Sequence, residues 1–296
     1  MSMDLPPLIL YAVPVMLSLV LLEFVVGQYR KRKLYEGRDL LASVGIGIGN
    51  LVISAVTKLA MFAVVLFFYN LVPWQVPPAW WSYLLCFVVL DFCRYWAHRI
   101  AHEQRFLWAT HVTHHSSEQY NFSVSFRLSW TQNVKVVFFI PVALCAFHPL
   151  VFFICHQTAV LYQFWIHTEL IRRMPAWFEY IFVTPSHHRV HHAVNDKYLD
   201  RNYGSTLIIW DRMFGTFQSE EEQPVYGITT PVNSYNPVYL VFHEWIDIFR
   251  DLRRARSLRE ARTIFFAGPG KYHREDFDPR PPHSHPMDVE PVRRTA

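Results

Sequence analysis

His98 and His102, then His111, His114 and His115, then His188, His191 and His192 fall in three short blocks reading HRIAH, HVTHH and HRVHH. The spacings are i, i+4 in the first block and i, i+3, i+4 in the other two. Residues three and four apart share a face of a helix, so each block is expected to aim two or three imidazoles at one point. Packing gives no reason for this pattern, whereas a metal ion does, because imidazole suits zinc, copper, iron and nickel. A single ion takes three or four protein ligands. With His167 added there are nine candidates, too many for one ion and right for two. Solvated helix faces or a pH-sensitive patch would not need face-sharing spacing in every block. His148, His156 and His243 stand alone and read as hydrogen-bonded core residues.

The ligand types narrow the chemistry. Zinc hydrolases carry HExxH, and neither His102-Glu103 nor His243-Glu244 completes it. The Glu-x-x-His of soluble di-iron bundles is absent from the sequence. A bis-histidine haem needs two axial ligands and leaves most of the nine unexplained. Nearly all-neutral ligands beside apolar segments point instead to two irons that activate O2 against an unactivated C–H bond of a lipid.

The elements that position these residues are long apolar runs. Leu8 to Val26 is interrupted only by Pro14, Ser18 and Glu23 and is long enough to span a bilayer. The basic Arg30 to Lys33 follows it, which reads as a retained span with a cytosolic C-terminal end and not as a signal peptide. Leu40 to Val72 is a second run, and its Gly45, Gly47 and Gly49 suit close helix packing better than a dinucleotide fingerprint. The uncharged turn Pro73 to Pro78 suits the far side. Trp80 to Trp96 then returns and delivers His98 where that span leaves the hydrocarbon. Val134 to Ile166 is apolar again but broken at His148-Pro149. It is expected to form a re-entrant hairpin or two tilted spans, bringing His167 to the same side.

The chain of 296 residues is 52% hydrophobic with a net charge of +4, which argues against a nucleic-acid partner. Its four cysteines lie in apolar runs without CxxC, so neither a disulfide framework nor a zinc finger is expected. The expected fold is all-α and integral to the membrane: about four transmembrane helices plus a cytosolic helical cap from Arg172 to about Arg262. Residues 1–267 read as one domain with its catalytic core at about 80–240. Residues 268–296, with His283 and His285, read as a disordered, solvated tail.

The ordered HxxxH, HxxHH and HxxHH between hydrophobic spans resemble the fatty acid hydroxylase / sterol desaturase superfamily of membrane di-iron enzymes. Residues 111–121 (HVTHHSSEQYN), 163–170 (QFWIHTEL), 184–192 (TPSHHRVHH) and 202–217 (NYGSTLIIWDRMFGTF) resemble its alkylglycerol monooxygenase branch. The resemblance covers about residues 80–239. It implies iron ligands at His98, His102, His111, His114, His115, His188, His191 and His192, a cytosol-facing site, and a lipid entering from the bilayer. Members with further histidines between the second and third boxes place two of them four residues apart. Here His167 fits one and Gln163 stands at the other, so a water, the glutamine oxygen or an open O2 position is expected there. His187 is expected beside the ligands, and a register using His187 with His191 also satisfies the spacing.

The branch hydroxylates the carbon next to an ether oxygen with electrons from tetrahydrobiopterin. The chain reads as a shorter relative without that branch's further C-terminal spans, so the expected donor is a pterin or another external donor, a protein included. The same machinery without return of the hydroxyl gives a sterol or fatty-acyl desaturase. A histidine-rich metal transporter is the reading from another class, but it would place ionisable ligands near mid-bilayer. Of the supporting residues, Asp91 is expected either to orient His98, seven residues on, or to snorkel to the interface. Glu118 and Asn121 are expected near the substrate or as turn polarity. Asp211 and Arg212 are expected to hold the cap together, and Trp96, Trp108 and Trp165 to sit in an interfacial belt or the core.

Overall fold

The computed structural model describes residues 8–277, and all regular structure among them is helical. Helix α1 spans Leu8–Tyr29 and α2 spans Gly37–Asn70. Glu36 starts α2 by accepting the Asp39 amide at 2.7 Å, which satisfies one of the orphan N–H groups of the first turn. These two helices, α1 counted from Tyr11, are long and apolar enough to cross a membrane. The 34 residues of α2 extend about 51 Å at 1.5 Å per residue, well beyond a hydrocarbon core of about 30 Å. Its first turns therefore have length to spare for the polar region.

Helix α3, Trp80–Glu103, begins where the third span was expected and continues past Trp96 to carry His98 and His102 in its final turns. Short helices α4 (Arg105–Trp108) and α5 (Val112–His115) follow. The run from Val134 folds as a hairpin. A 3-10 helix, Gln132–Phe139, passes into α6, Ile140–Leu144, and the chain reverses through Ala146 at φ 58°. Helix α7, Pro149–Trp165, then returns, with the His148 ring accepting the Leu150 amide at 3.2 Å. Proline at its first position costs no hydrogen bond there. The Val76 amide donates to the Ala146 carbonyl at 2.8 Å, so the hairpin tip reaches the level of the α2–α3 turn. The largest core cluster lies between α3 and this hairpin, around Leu90, Val142, Val151 and Phe152.

The remaining elements are α8 (Ala176–Ile181), α9 (Pro185–His191), α10 (Ile209–Phe214), α11 (Pro237–Leu252) and α12 (Leu258–Phe266). Packing continues beyond the Gly268 boundary at which a disordered tail was expected. The Tyr272 hydroxyl donates to Glu260 at 2.9 Å, and a last 3-10 turn closes at Arg274–Phe277. An aromatic anchor and a buried carboxylate hold this segment, which a reading by composition does not register. His283 and His285 lie outside the described residues.

Two buried carboxylates staple the first helices to the rest. Glu23 of α1 accepts from Tyr35, Thr168 and the Phe122 amide. Asp39 of α2 pairs with Arg127 at 2.5 Å and accepts Ser117 Oγ at 2.8 Å, while Arg127 also donates to Ser116 Oγ at 3.0 Å. This buried pair fixes the residues that directly follow His114 and His115.

The glycine face of α2 is used for close approach as expected, but against loop and cap. A Cβ on Gly45 would stand 2.9 Å from Pro237, and one on Gly49 would stand 2.3 Å from the Trp130 ring. Trp130 Nε1 donates to the Ile46 carbonyl at 2.9 Å, so the indole cannot retreat without losing that bond. Gly49→Ala is expected to cost about 1–3 kcal/mol by overpacking, read as a lowered thermal midpoint in detergent. Gly37→Ala, with open space at its Cβ, should leave the midpoint unchanged.

Candidate metal centre

The histidines converge at the end of α3, but each block does not serve one point. The side chains divide into two groups: His98, His102, His111, His115 and His191, and His114, His167, His188 and His192. Blocks two and three are split between the groups. The reason lies in helix geometry, where successive residues are about 100° apart around the axis. His111 and His115 return to one face while His114 diverges, and His188 and His192 do the same relative to His191. The neighbouring rings of His114 and His115 stand at 90°, and those of His191 and His192 at 88°. The short helices α5 and α9, with their caps, therefore supply both groups at once.

Within each group the donor atoms lie within 4.8 Å of one another. In the second, Nε2 of His188 is 3.0 Å from that of His167 and 3.2 Å from that of His192. Nε2 of His114 is 3.2 Å from His167 and 3.1 Å from His192. In the first, Nε2 of His111 lies 2.8 Å from His98 and 3.3 Å from His115, and Nε2 of His102 and of His191 is buried without a partner. Nitrogens that ligate one ion at about 2.1 Å stand roughly 3.0–3.4 Å apart. The spacing and the orphaned ring nitrogens fit one cation in each group. Both groups are built from imidazole alone, so the donor set suits a borderline transition metal and not Mg2+ or Ca2+.

Backbone carbonyls orient the rings. His98 Nδ1 donates to the Tyr203 carbonyl at 2.7 Å, His167 Nδ1 to Gln163 at 2.7 Å and His191 Nδ1 to Arg201 at 3.0 Å. Each bond fixes the proton on Nδ1 and turns the Nε2 lone pair inward. Tyr203 is itself held by Asp211, whose carboxylate accepts the Tyr203 and Gly204 amides at 2.7 Å each and Thr216 Oγ1 at 2.7 Å. Gly204 has no room for a Cβ, which would stand 2.8 Å from the Leu207 carbonyl.

Asp91 does not touch His98. It accepts the Thr206 and Leu207 amides and Trp210 Nε1, each at 3.0 Å. The two aspartates thus hold the loop from both ends, and the loop supplies the carbonyl that orients His98. A buried carboxylate takes the strongest donors in reach, and here those are loop amides.

Gln163 turns its side chain away from both groups and accepts from Arg94 Nη2 at 2.6 Å, while Arg94 Nε donates to Ser205 Oγ at 2.7 Å. Only its backbone carbonyl reaches the site, through His167. His187 lies outside both groups. Its Nδ1 accepts the Thr184 amide at 3.3 Å and its ring meets Phe217, so it helps start α9. Asn121 caps the turn at Ser123 and donates to the Leu34 carbonyl at 2.7 Å, and Glu118 is exposed. Arg212 packs over Phe217 and bonds the Tyr180 and Glu179 carbonyls, tying α10 to α8.

Three residues at the site were missed or underweighted. The ring of Trp108 lies 5.0 Å from His102, that of Tyr203 lies 5.4 Å from His102, and that of Tyr120, stacked on Tyr226, lies 5.3 Å from His192. Tyr120 and Tyr203 stand within the HVTHHSSEQYN and NYGSTLIIWDRMFGTF stretches, and Trp108 lies three residues before the first of them.

Burial, followed by the neighbouring imidazoles, holds His114, His115, His188 and His192 well below the ordinary histidine range. Burial brings His167 and His191 to about 4 against their backbone hydrogen bonds. The site is therefore a set of neutral donors at physiological pH, which is the form that binds metal.

Residues 83–216 match the fatty acid hydroxylase family model. The chain is 40% identical over 279 residues to the alkylglycerol monooxygenase of Homo sapiens, covering 90% of this chain and 60% of that protein. It is 45% identical over 199 residues to the alkylglycerol monooxygenase of Xenopus tropicalis, covering 67% of this chain and 44% of that one. An ornithine lipid hydroxylase of Rhizobium tropici is 31% identical over 156 residues, 50% of this chain and 44% of that protein. The chain thus spans 60% or less of the length of these relatives. No solved structure matches it.

Asp211→Ala leaves two buried amides unpaired, at about 1–3 kcal/mol each, so a clearly lowered thermal midpoint is expected, with exposed Asp196→Ala as the silent control. The metal-free protein should also lose stability as pH falls. Below the unfolded histidine value of about 6.5 the unfolded chain takes up protons that the buried rings refuse until about pH 4, so stability rises with pH across that window. Carboxylates raised by burial, Asp211 to about 6 and Asp200 also upward, oppose this but are fewer than the buried rings. A thermal midpoint of the metal-free protein that stays flat from pH 7 to 5 would contradict this account.

Proposed function

We propose that the chain, whose residues 83–216 match the fatty acid hydroxylase family model, is an O2-dependent monooxygenase of a membrane lipid, with one iron held by each histidine group. The observation that carries this reading is the convergence of nine imidazoles, and no carboxylate, on two adjacent points at the end of α3. When bound there, the irons supply O2 activation and the oxidising power for a C–H bond. The chain's own residues provide the rest. His98, His102, His111, His115 and His191 hold one ion, and His114, His167, His188 and His192 hold the other. The carbonyls of Tyr203, Gln163 and Arg201 keep three of these rings facing inward, and Trp108, Tyr120 and Tyr203 wall the site with aromatic surface against water.

The relatives named for alkylglycerols and an ornithine lipid support a lipid substrate that carries a long alkyl chain. We read the ether-lipid C–H next to oxygen as the first substrate to test, with a sterol or fatty-acyl C–H as the alternative and desaturation as the alternative outcome. Electrons come from tetrahydrobiopterin or another external donor. In this reading α1, α2, α3 and the hairpin ending in α7 cross or enter the membrane, and the cap with the site faces the cytosol. The basic Arg30 to Lys33 at the end of α1 supports that orientation. In the same reading the described residues form one domain, with the catalytic core at about 80–240.

Iron analysis of the purified protein, with His283 and His285 replaced, should give about two irons per chain, fewer in His115→Ala. His111→Ala and His191→Ala should each abolish oxidation of the alkyl lipid, followed by product mass, while His283→Ala should leave it intact. Full activity in either cluster variant, haem absorbance, or a single zinc without iron uptake would overturn the assignment.

A further inference from the structure

Helices α11 and α12 present an outer surface that the described residues do not cover. On α11, Val238, Tyr239, Ile246 and Phe249 are exposed along one stripe, while Val241 and Ile248 point inward. On α12, Leu258 and Phe266 are 79% and 60% exposed and share a face with Arg262, by i, i+4, i+8 spacing. This apolar surface continues onto the first half of α2. There α11 packs against Ala42 and Ile46, Pro237 sits on Gly45, and Leu41, Ile48 and Val52 of α2 are exposed alongside.

The charges beside this surface are mostly of one sign. Arg250 is paired with Asp247, and Arg105 of α4 takes up Asp251. Arg253, Arg254, Arg259 and Arg262 have no carboxylate within ion-pair distance among the described side chains. Arg259 and Arg262 line one surface cleft together with Leu258, Thr263 and Phe266. Guanidinium forks match phosphate oxygens, and a neighbouring leucine and phenylalanine match the start of an acyl chain.

We propose that α11 and α12 lie in the membrane surface as an amphipathic pair, with the arginines bound to anionic phospholipid phosphates. An exposed apolar stripe flanked by cations is the arrangement that seats a helix at the headgroup boundary. The membrane is favoured over a protein partner because the stripe is continuous with the outer face of α2. The proposal rests on α2 crossing the bilayer, as read above. It adds a lipid-selective contact outside the histidine groups.

The test uses the full chain in nanodiscs of phosphatidylcholine and phosphatidylglycerol, in a Cys145→Ser background, since Cys145 is the one exposed cysteine among the described residues. Nitroxide labels are placed at Phe249→Cys and Leu258→Cys, with Val56→Cys on the exposed middle of α2 as the reference. Labels at 249 and 258 that relax with O2 more than with a water-soluble nickel chelate are expected. Chelate-dominated relaxation at 249 and 258 with O2-dominated relaxation at 56 would overturn the inference and leave the membrane reading standing. Shielding from both reagents would mean a protein cover, a second copy or the chain's own C-terminal residues, and would overturn it too. Chelate-dominated relaxation at 56 would remove the premise itself. In the same discs spin-labelled phosphatidylglycerol should be preferred over phosphatidylcholine, and Arg259→Gln and Arg262→Gln should each reduce that preference about fivefold. Selectivity unchanged in the double variant would refute the arginine contact.

Discussion

Imidazole nitrogens cannot face one another at about 3 Å through their lone pairs unless a positive charge lies between them. Every level of the structure serves to hold nine rings in that otherwise unfavourable arrangement. Burial keeps them neutral, carbonyls fix the protons of His98, His167 and His191 on the outer nitrogen, and helices α5 and α9, too short to stand alone, carry six of them with their caps. Such helices need outside support. The Asp39–Arg127 pair grips the residues after α5, Thr184 and His187 close the start of α9, and Asp211 with Asp91 holds the loop behind His98.

The division of labour between histidine blocks is the main lesson of the geometry. Each i, i+4 pair stays together, and the histidine next to one of its members turns to the other group. The interval between the groups is spanned by close ring contact, with His115 stacked on His192 at 4.3 Å between centroids. A disturbance in α5 or α9 therefore reaches both groups, whereas one confined to the end of α3 bears on the first group directly and on the second through shared neighbours.

Much of this was legible from the sequence, for identifiable reasons. The nine histidines announce themselves by type and spacing, and the break at His148-Pro149 announces the hairpin, because proline ends one helix and starts another. The splitting of blocks two and three was not legible, since i+3 and i+4 both count as the same face at the resolution of a pattern. Nor were the partners of Asp91 and Gln163. Position along a helix said where those side chains start, but the donors that captured them arrive from loops more than a hundred residues later in one case and from α3 in the other. The roles of Tyr203 and Arg201 were invisible for another reason, because they act through backbone carbonyls that every residue possesses.

Helix α3 carries Asp91 and Arg94 in its interior, and their partners lie at Gln163 and at residues 205–210. In a bilayer, unsatisfied groups of this kind are expensive. Helices α1 and α2 are long and apolar enough to cross a membrane, and α3 does not meet that measure. In the membrane arrangement proposed above, its polar residues meet their partners only after roughly a further hundred residues of chain, so its seating follows the synthesis of residues 205–210. In that arrangement a product stalled before residue 205 would leave Asp91 and Arg94 of α3 without the loop donors and acceptors that satisfy them.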